Sequence, residues 1–386
     1  MKITSIEAIP YRLPVRREFR WNGLNQGLGH FVLVRVTTDT GLVGHGEAVP
    51  LPDWGGSFGR RAGETRATVC AMVDGLLAPA LIGTDPCQIS EACARMERVA
   101  VGHTYAKCAV EMALHDLWGK AVGQPIHRLL GGAVRSGVPI AHMVGLMAFD
   151  DAVAEAEAAI GEGLTALQIK GGESGDRDVA LIRTLRERLG PDVVLRLDAN
   201  QGYGSAKSAL TVLSAFAPGE LSYVEQPAVG LEHMADVTRG SLVPVVADES
   251  CWTPRDALDL VAAKGADCIS IYLAKAGGFR QAAAVAAIAE AAGLPCDVNG
   301  SIESGIGNAA NIQFALATPA VTLPCVIPVS APADAHPCRV GGNYFEDDII
   351  TEAFPFRDGA MGAPDGPGLG VEVDERKLDR FRQSAI

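Results

Sequence analysis

From Val138 onward the chain repeats one pattern, an aliphatic strand, a loop and a helix, every 23–30 residues, and that rhythm narrows the folds open to it. Val138–Met143, Ala166–Lys170, Val193–Ala199, Leu221–Glu225, Val243–Asp248, Cys268–Ala274, Cys296–Asn299 and Thr322–Ile327 read as eight strands. Helical stretches include 149–162, 177–189, 205–216, 254–264 and 278–292. Eight such units within about 190 residues predict an α/β barrel rather than an open sheet. A doubly wound sheet would carry a Gly-rich dinucleotide loop after its first strand, and this sequence has none there.

The residues before the repeat read differently. Residues 2–13 and 30–37 are strand-like, and Asp39-Thr40-Gly41 is a hairpin turn. Helical stretches follow near 62–79, 87–100 and 103–122, the last stopped by Gly123-Gln124-Pro125. The expected division is an α+β module at 1–131, a barrel at 132–349, and a tail from about 350 to 386 that folds back onto the first module.

Three of the strands end in a carboxylate: Asp198 in Asp198-Ala199-Asn200, Glu225 in Glu225-Gln226-Pro227, and Asp248 in Asp248-Glu249-Ser250. They stand 27 and 23 residues apart, one strand-plus-helix unit each. In a parallel barrel, successive strand ends share the rim on which active sites are built. Three carboxylates there repel one another unless a cation intervenes, and hard oxygen donors point to Mg²⁺. By strand alternation Glu249 points away from Asp248.

Composition narrows the function further. A net charge of −13 and a pI near 5.1 argue against nucleic acid. No apolar run reaches the roughly 18–20 residues of a membrane span, and Met1-Lys2-Ile3-Thr4 opens without a signal-peptide pattern. Nine cysteines, an odd number lacking any CxxC pair, read as buried free thiols. The expectation is a cytoplasmic enzyme acting on a small anion.

Five motifs agree in order and spacing: Gly41-Leu42-Val43-Gly44-His45-Gly46-Glu47, the three acidic motifs, and the tail Pro364–Gly370. Together they resemble the enolase superfamily over essentially the whole chain. That resemblance implies a capping domain, a modified (β/α)7β TIM barrel, and an essential Mg²⁺ on Asp198, Glu225 and Asp248. It also implies a homo-oligomer. Gln168-Ile169-Lys170 resembles the Lys-x-Lys element of the muconate-lactonising subgroup, with Gln168 in place of the first lysine. Lys170 is then the base that removes the α-proton of a carboxylate substrate, leaving an enediolate that the metal stabilises.

The opposite face departs from the subgroup. A second lysine is expected five residues before a Gly-Gly pair; here the pair is Gly277-Gly278 and the position holds Tyr272. Lys275 lies three residues on, and alternation sends it to the other side of the strand. Racemisation needs a competent group on each face, whereas elimination of a β-hydroxyl needs one base and an acid. One lysine and one tyrosine therefore favour dehydration, with racemisation, epimerisation or cycloisomerisation as the alternative. A catalytically degraded, ligand-binding paralogue is the third reading.

Other residues refine the expected substrate. The seventh strand, Cys296-Asp297-Val298-Asn299-Gly300, lacks the histidine of a mandelate-racemase-like site. Ser301–Gly307 resembles the muconate-lactonising subgroup, in which the glutamate, here Glu303, faces the site. The eighth strand lacks the Asp-x-Asp of dipeptide epimerases. Gly102–Lys107 and Gln168-Ile169-Lys170 resemble the hydroxyproline-betaine epimerases, and hydroxyproline dehydratases belong to the same subgroup. Asn200, Asn299 and Gln226 are candidate polar contacts. Two loops, 16–28 and 50–59, are expected to lid the barrel and carry Phe19, Trp21, Trp54 and Phe58, with Asp53 beside them; aromatic rings there suit a cationic ring nitrogen. His115-Asp116 sits on a capping helix and reads as structural.

Overall fold

The computed structural model describes residues 1–24, 27–57 and 61–384; Phe58 lies outside them. The chain opens with an antiparallel sheet, β1 (Ile3–Arg12), β2 (His30–Thr38) and β3 (Val43–Ala48), in the order β1-β2-β3. The helices α1 (Arg66–Met72), α2 (Ala78–Leu81), α3 (Ile89–Val99), α4 (Thr104–Val122) and α5 (Ile126–Leu129) follow. The stretch expected as one helix at 62–79 starts instead at a Thr65–Thr68 capping box and passes through a π-helical turn, Val73–Leu77. Gly44 and Gly46 let β3 lie directly on α4: a β-carbon at either would strike the backbone at Ala113 or Ala109. Gly123, in the left-handed region at φ 66°, ends α4.

A short strand β4 (Val138–Pro139) leads into the repeat: β5 (Ala141–Val144), α6 (Phe149–Gly161), β6 (Ala166–Lys170), α7 (Gly175–Leu189), β7 (Val194–Asp198) and α8 (Ala206–Leu213). It continues through β8 (Tyr223–Glu225), α9 (Leu231–Gly240), β9 (Val245–Ala247), α10 (Pro254–Ala263) and β10 (Cys268–Ile271). The last units are a four-residue helix α11 (Leu273–Ala276), α12 (Phe279–Ala291), β11 (Cys296–Val298) and α13 (Gly305–Ala317). Neighbouring strands pair in parallel in the order β11-β10-β9-β8-β7-β6-β5.

The expected eighth strand is the weakest part of the ring. It contributes two isolated parallel bridges, Val321 to Cys296 and Cys325 to Ile140, rather than a continuous ladder. Pro324 and Pro328 have no N–H to donate, which limits the pairing.

After the barrel, β12 (Phe356–Arg357) and β13 (Ala360–Met361) pair back to β4, and α14 (Glu375–Phe381) packs on β1. The Ile126 amide donates to the Gly368 carbonyl at 3.0 Å, and the Leu369 amide to Asp116 at 2.9 Å. The tail thus seats on the first module, and one continuous apolar core runs through module and barrel. The cysteines are all free, and every one but Cys87 is buried. Among the described residues no helix is long and apolar enough to cross a membrane.

Candidate active site

Register builds the centre of the site. Lys170 on β6 sits beside Asp198 on β7, and Asp198 beside Glu225 on β8. Glu225 pairs with Val246 of β9, so Asp248 follows one step beyond that strand. Because side chains alternate, Gln168 and Arg196 point inward with Lys170 and Asp198. The Lys170 ammonium donates to Asp198 Oδ2 at 2.6 Å and to Asn200 Oδ1 at 3.2 Å. Gln168 bridges two carboxylates, donating to Asp198 at 3.1 Å and Glu225 at 2.7 Å. Asn299 donates to Glu225 at 3.4 Å. Asn200 and Gln226 close their strands with positive φ, 41° and 36°, the kind of backbone strain that gathers at functional sites.

Arg196 and Asp297 were missed in the sequence. Arg196 is wholly buried, ion-paired with Glu225 at 2.6 Å and with Asp297. Its signal was available, since it stands two residues before Asp198 and therefore on the same face.

The alternation argument for Lys275 is overturned. The strand stops at Ile271, and α11 turns the chain helically, so Tyr272 and Lys275, three apart, come to the same side. Gly277, at φ 90°, caps that turn. The Lys275 ammonium donates to Asp248 Oδ1 at 2.7 Å, to the Asp248 carbonyl at 2.8 Å and to the Ser270 carbonyl at 2.9 Å. An ammonium has three donors, and all are engaged. Tyr272 donates to Asp248 Oδ2 at 3.3 Å and lines the cavity that Lys275 does not reach. Burial, then the charge of Asp248, holds the Tyr272 phenol well above its ordinary range.

Five buried carboxylates gather here: Asp198, Glu225, Asp248, Glu249 and Asp297. Three cations face them, Lys170, Lys275 and Arg196, so among the described residues two negative charges are left over when all are ionised. The strain shows in their protonation. Burial and then Glu225 push Asp198 up to about 7. Burial and then Asp248 raise Glu249 well above its usual range, and Glu249 Oε2 has no hydrogen-bond partner. Burial also works against Glu225, but Arg196 and Lys170 outweigh it and hold that carboxyl low.

A divalent ion fits this donor set in hardness and in charge. Gln168, Lys170 and Lys275 bond oxygens of Glu225, Asp198 and Asp248, and among the described residues no group of three or more acidic, His or Cys side chains is arranged to hold a metal.

A narrow cavity lies over the centre. Its lining includes Lys170, Gln168, Asn200, Asn299 and Tyr272, with Trp21, Leu51 and Trp54 entering from the first module. The Lys170 ammonium is 5.3 Å from the Trp21 ring centroid, and Trp54 stacks on Tyr272 at 5.3 Å. Asn22 also reaches down, donating to the Asn200 carbonyl at 3.0 Å. Leu51, Met143 and Val326 also line the cavity and carried no motif to find them by, whereas Ile302 stands within the Ser301–Gly307 motif. Glu303, expected as a substrate contact, is buried beside the cavity and its Oε2 has no hydrogen-bond partner. The residue is absent from the cavity wall, lies beneath Ser301, whose amide it accepts at 3.0 Å, and is pushed up to about 7 by burial. His115 is buried against Phe279, as a structural residue would be.

Comparison with known proteins places the chain in a family. Residues 151–377 match the family described as enolase C-terminal domain-like, and residues 23–131 the mandelate racemase/muconate lactonizing enzyme N-terminal domain. Muconate cycloisomerase 1 of Rhodococcus opacus is 33% identical, over 97% of this chain and 96% of its own. The cis-3-hydroxy-L-proline dehydratase of Roseibium aggregatum is 31% identical, over 96% of each. The crystal structure of the N-succinyl Arg/Lys racemase from Bacillus cereus superposes with a TM-score of 0.89 at 27% identity, covering 100% of this chain and 99% of that one.

Proposed function

The chain belongs to the mandelate racemase/muconate lactonizing enzyme family of the enolase superfamily, and on that premise we propose that it removes the α-proton of a small carboxylate and completes a β-elimination. The observation that carries this reading is the asymmetry of the two faces. Lys170 stands on one side of the cavity and Tyr272 on the other, while every donor of Lys275 is spent on Asp248 and Ser270.

Bound by Asp198, Glu225 and Asp248, Mg²⁺ would supply positive charge to a substrate carboxylate as its α-proton leaves. Lys170, released from Asp198 and roofed by Trp21, takes that proton. Asn200 accepts from the ammonium and keeps it oriented toward the cavity. Tyr272, held protonated by its burial, donates to the departing hydroxyl. Gln168, neutral where a lysine was expected, leaves Lys170 without a second ammonium beside it.

Dehydration of a hydroxy acid also agrees with the hydroxyproline dehydratase among the relatives. Cycloisomerisation is the alternative, since it too needs a single proton-transfer partner and the 33% identical relative carries that name. Racemisation or epimerisation asks more of Tyr272 than a protonated phenol delivers. A non-catalytic paralogue would have little reason to keep Lys170 beside Asp198.

Proton NMR in D₂O with Mg²⁺, screening 3-hydroxy and 2,3-dihydroxy monocarboxylates together with hydroxyprolines, tests the reading. Loss of the α-signal with new alkene, keto or imine resonances is expected. In Tyr272→Phe, elimination should fall about 10²-fold while α-exchange persists. Exchange with inversion and no elimination would overturn the proposal.

A further inference from the structure

The ring order distributes the cavity's chemistry unevenly. The carboxylates Asp198, Glu225 and Asp248 stand on β7, β8 and just past β9. Lys170 ends β6 and Tyr272 follows β10, flanking them on either side. Across the barrel from β8 lie the end of β5 and the Cys325 segment that closes the ring, and these contribute Met143 and Val326 to the wall. Ile302 continues that wall, and Trp21, Leu51 and Trp54 roof it. The polar amides of Gln168, Asn200 and Asn299 stay on the carboxylate side, where they bond Asp198, Glu225 and Glu249.

We infer that the substrate is a monoanion: one carboxylate, a reacting carbon between Lys170 and Tyr272, and beyond it a body with no second anionic group, lying between Trp21 and the stacked Trp54–Tyr272 pair. The inference rests on the proposed α-proton chemistry, which orients the substrate carboxylate toward β7–β9. Its distal end then meets Met143, Ile302, Val326 and the tryptophans. A second carboxylate there would lose its water and gain no described cation, a cost that burial of an unpaired charge makes severe. Of the arginines in the nearby loop, Arg16 and Arg17 both bond Glu155 on α6, and Arg20 is exposed to solvent and does not line the cavity. An apolar body instead gains by leaving water for aromatic and aliphatic faces.

Hexanoate and adipate differ only in whether the far carbon is a methyl group or a carboxylate, and neither has a hydroxyl to eliminate. Calorimetric titration of each into the Mg²⁺-loaded protein therefore reads the pocket without the reaction. Hexanoate is expected to bind at least about tenfold more tightly than adipate. Leu51→Arg from the cap or Val326→Arg from the barrel should narrow or reverse that preference, each checked for folding by circular dichroism. Equal or tighter binding of adipate by the unaltered protein, or no binding of hexanoate, would overturn the inference. A kept hexanoate preference with no α-exchange on any hydroxy acid would instead remove the elimination reading and leave the pocket assignment standing.

Discussion

Lys275 is the clearest case of a side chain whose chemistry is decided by its neighbours. Its ammonium is 1% exposed and holds a carboxylate that is equally buried. Removing one partner of such a pair leaves the other charged and desolvated, typically at 3–5 kcal/mol. Lys275→Met should therefore lower stability by about 3–5 kcal/mol in urea unfolding with EDTA present; a loss under about 1 kcal/mol would mean Asp248 is neutral or solvated in the fold. Sequence reasoning could find Lys170, Asp198, Glu225 and Asp248 because strand ends and a period of two place them. It failed at Lys275 because the chain leaves the strand at Ile271, and the period changes from two to 3.6 within one residue. Asp297 escaped for another reason: its partner Arg196 lies about a hundred positions away in sequence.

Among the elements, the segment before Trp21 is bonded to Asn343, Tyr344 and Leu146 and takes its ion pairs from one helix residue. Glu155 on α6 accepts from Arg17 at 2.8 and 2.5 Å and from Arg16 at 3.3 Å. It also pairs with His142 Nε2 at 3.0 Å, while His142 Nδ1 accepts the Gly342 amide at 3.1 Å, so the imidazole is the neutral Nε2–H tautomer. The Arg17 guanidinium lies 3.8 Å from the Phe19 ring centroid, and Phe19 packs edge-on to Tyr344. Burial alone would raise Glu155, but His142 and Arg17 outweigh it and bring it down to about 2. A carboxyl lowered in the fold contributes stability above its unfolded value of 4.5, and this contribution fades as pH falls from there toward 2. At neutral pH the latch is closed. Glu155→Gln should raise KM about tenfold with a smaller change in kcat, and speed tryptic cleavage at Arg16 and Arg17 several-fold. Unchanged cleavage would show that Phe19 packing and the bonds to Asn343, Tyr344 and Leu146 secure the segment without Glu155. The loop's aromatic content was legible in the sequence as a lid, but its anchor was not, because a helix surface glutamate carries no mark of its partners.

At the scale of the whole molecule, cap and barrel meet across a buried polar seam. Tyr11 on β1 donates to Glu47 on β3 at 2.6 Å, and Glu47 accepts the Ser304 amide at 2.9 Å from the start of α13. Asp348 accepts the Gly305 amide at 2.9 Å, and the Tyr105 hydroxyl meets that of Ser301 at 3.0 Å. Burial pushes Glu47, Glu303 and Asp348 each up to about 7. These carboxyls keep their protons in the fold while the unfolded chain loses its own near 4, so stability is fullest below the unfolded values and declines as pH rises through about 7. A shift of that size corresponds to on the order of 3 kcal/mol for each group. The metal-free protein should melt at a higher temperature at pH 5.5 than at pH 8, and Glu47→Gln should flatten that difference; a Glu47→Gln profile parallel to the unaltered one would exclude Glu47 from it. The motif around Glu47 was legible, and the barrel was legible from its rhythm, but the seam joins positions some 250 residues apart and only the folded chain brings them together. The cavity that opens beside this seam has a floor and a roof with separate origins: Lys170 and Tyr272 come from the barrel, Trp21, Leu51 and Trp54 from the cap. On the proposed reading, exchanging the roof residues would change which compound is admitted without touching Lys170 or Tyr272, while Met143 and Val326 of the barrel wall would keep their own share in that choice.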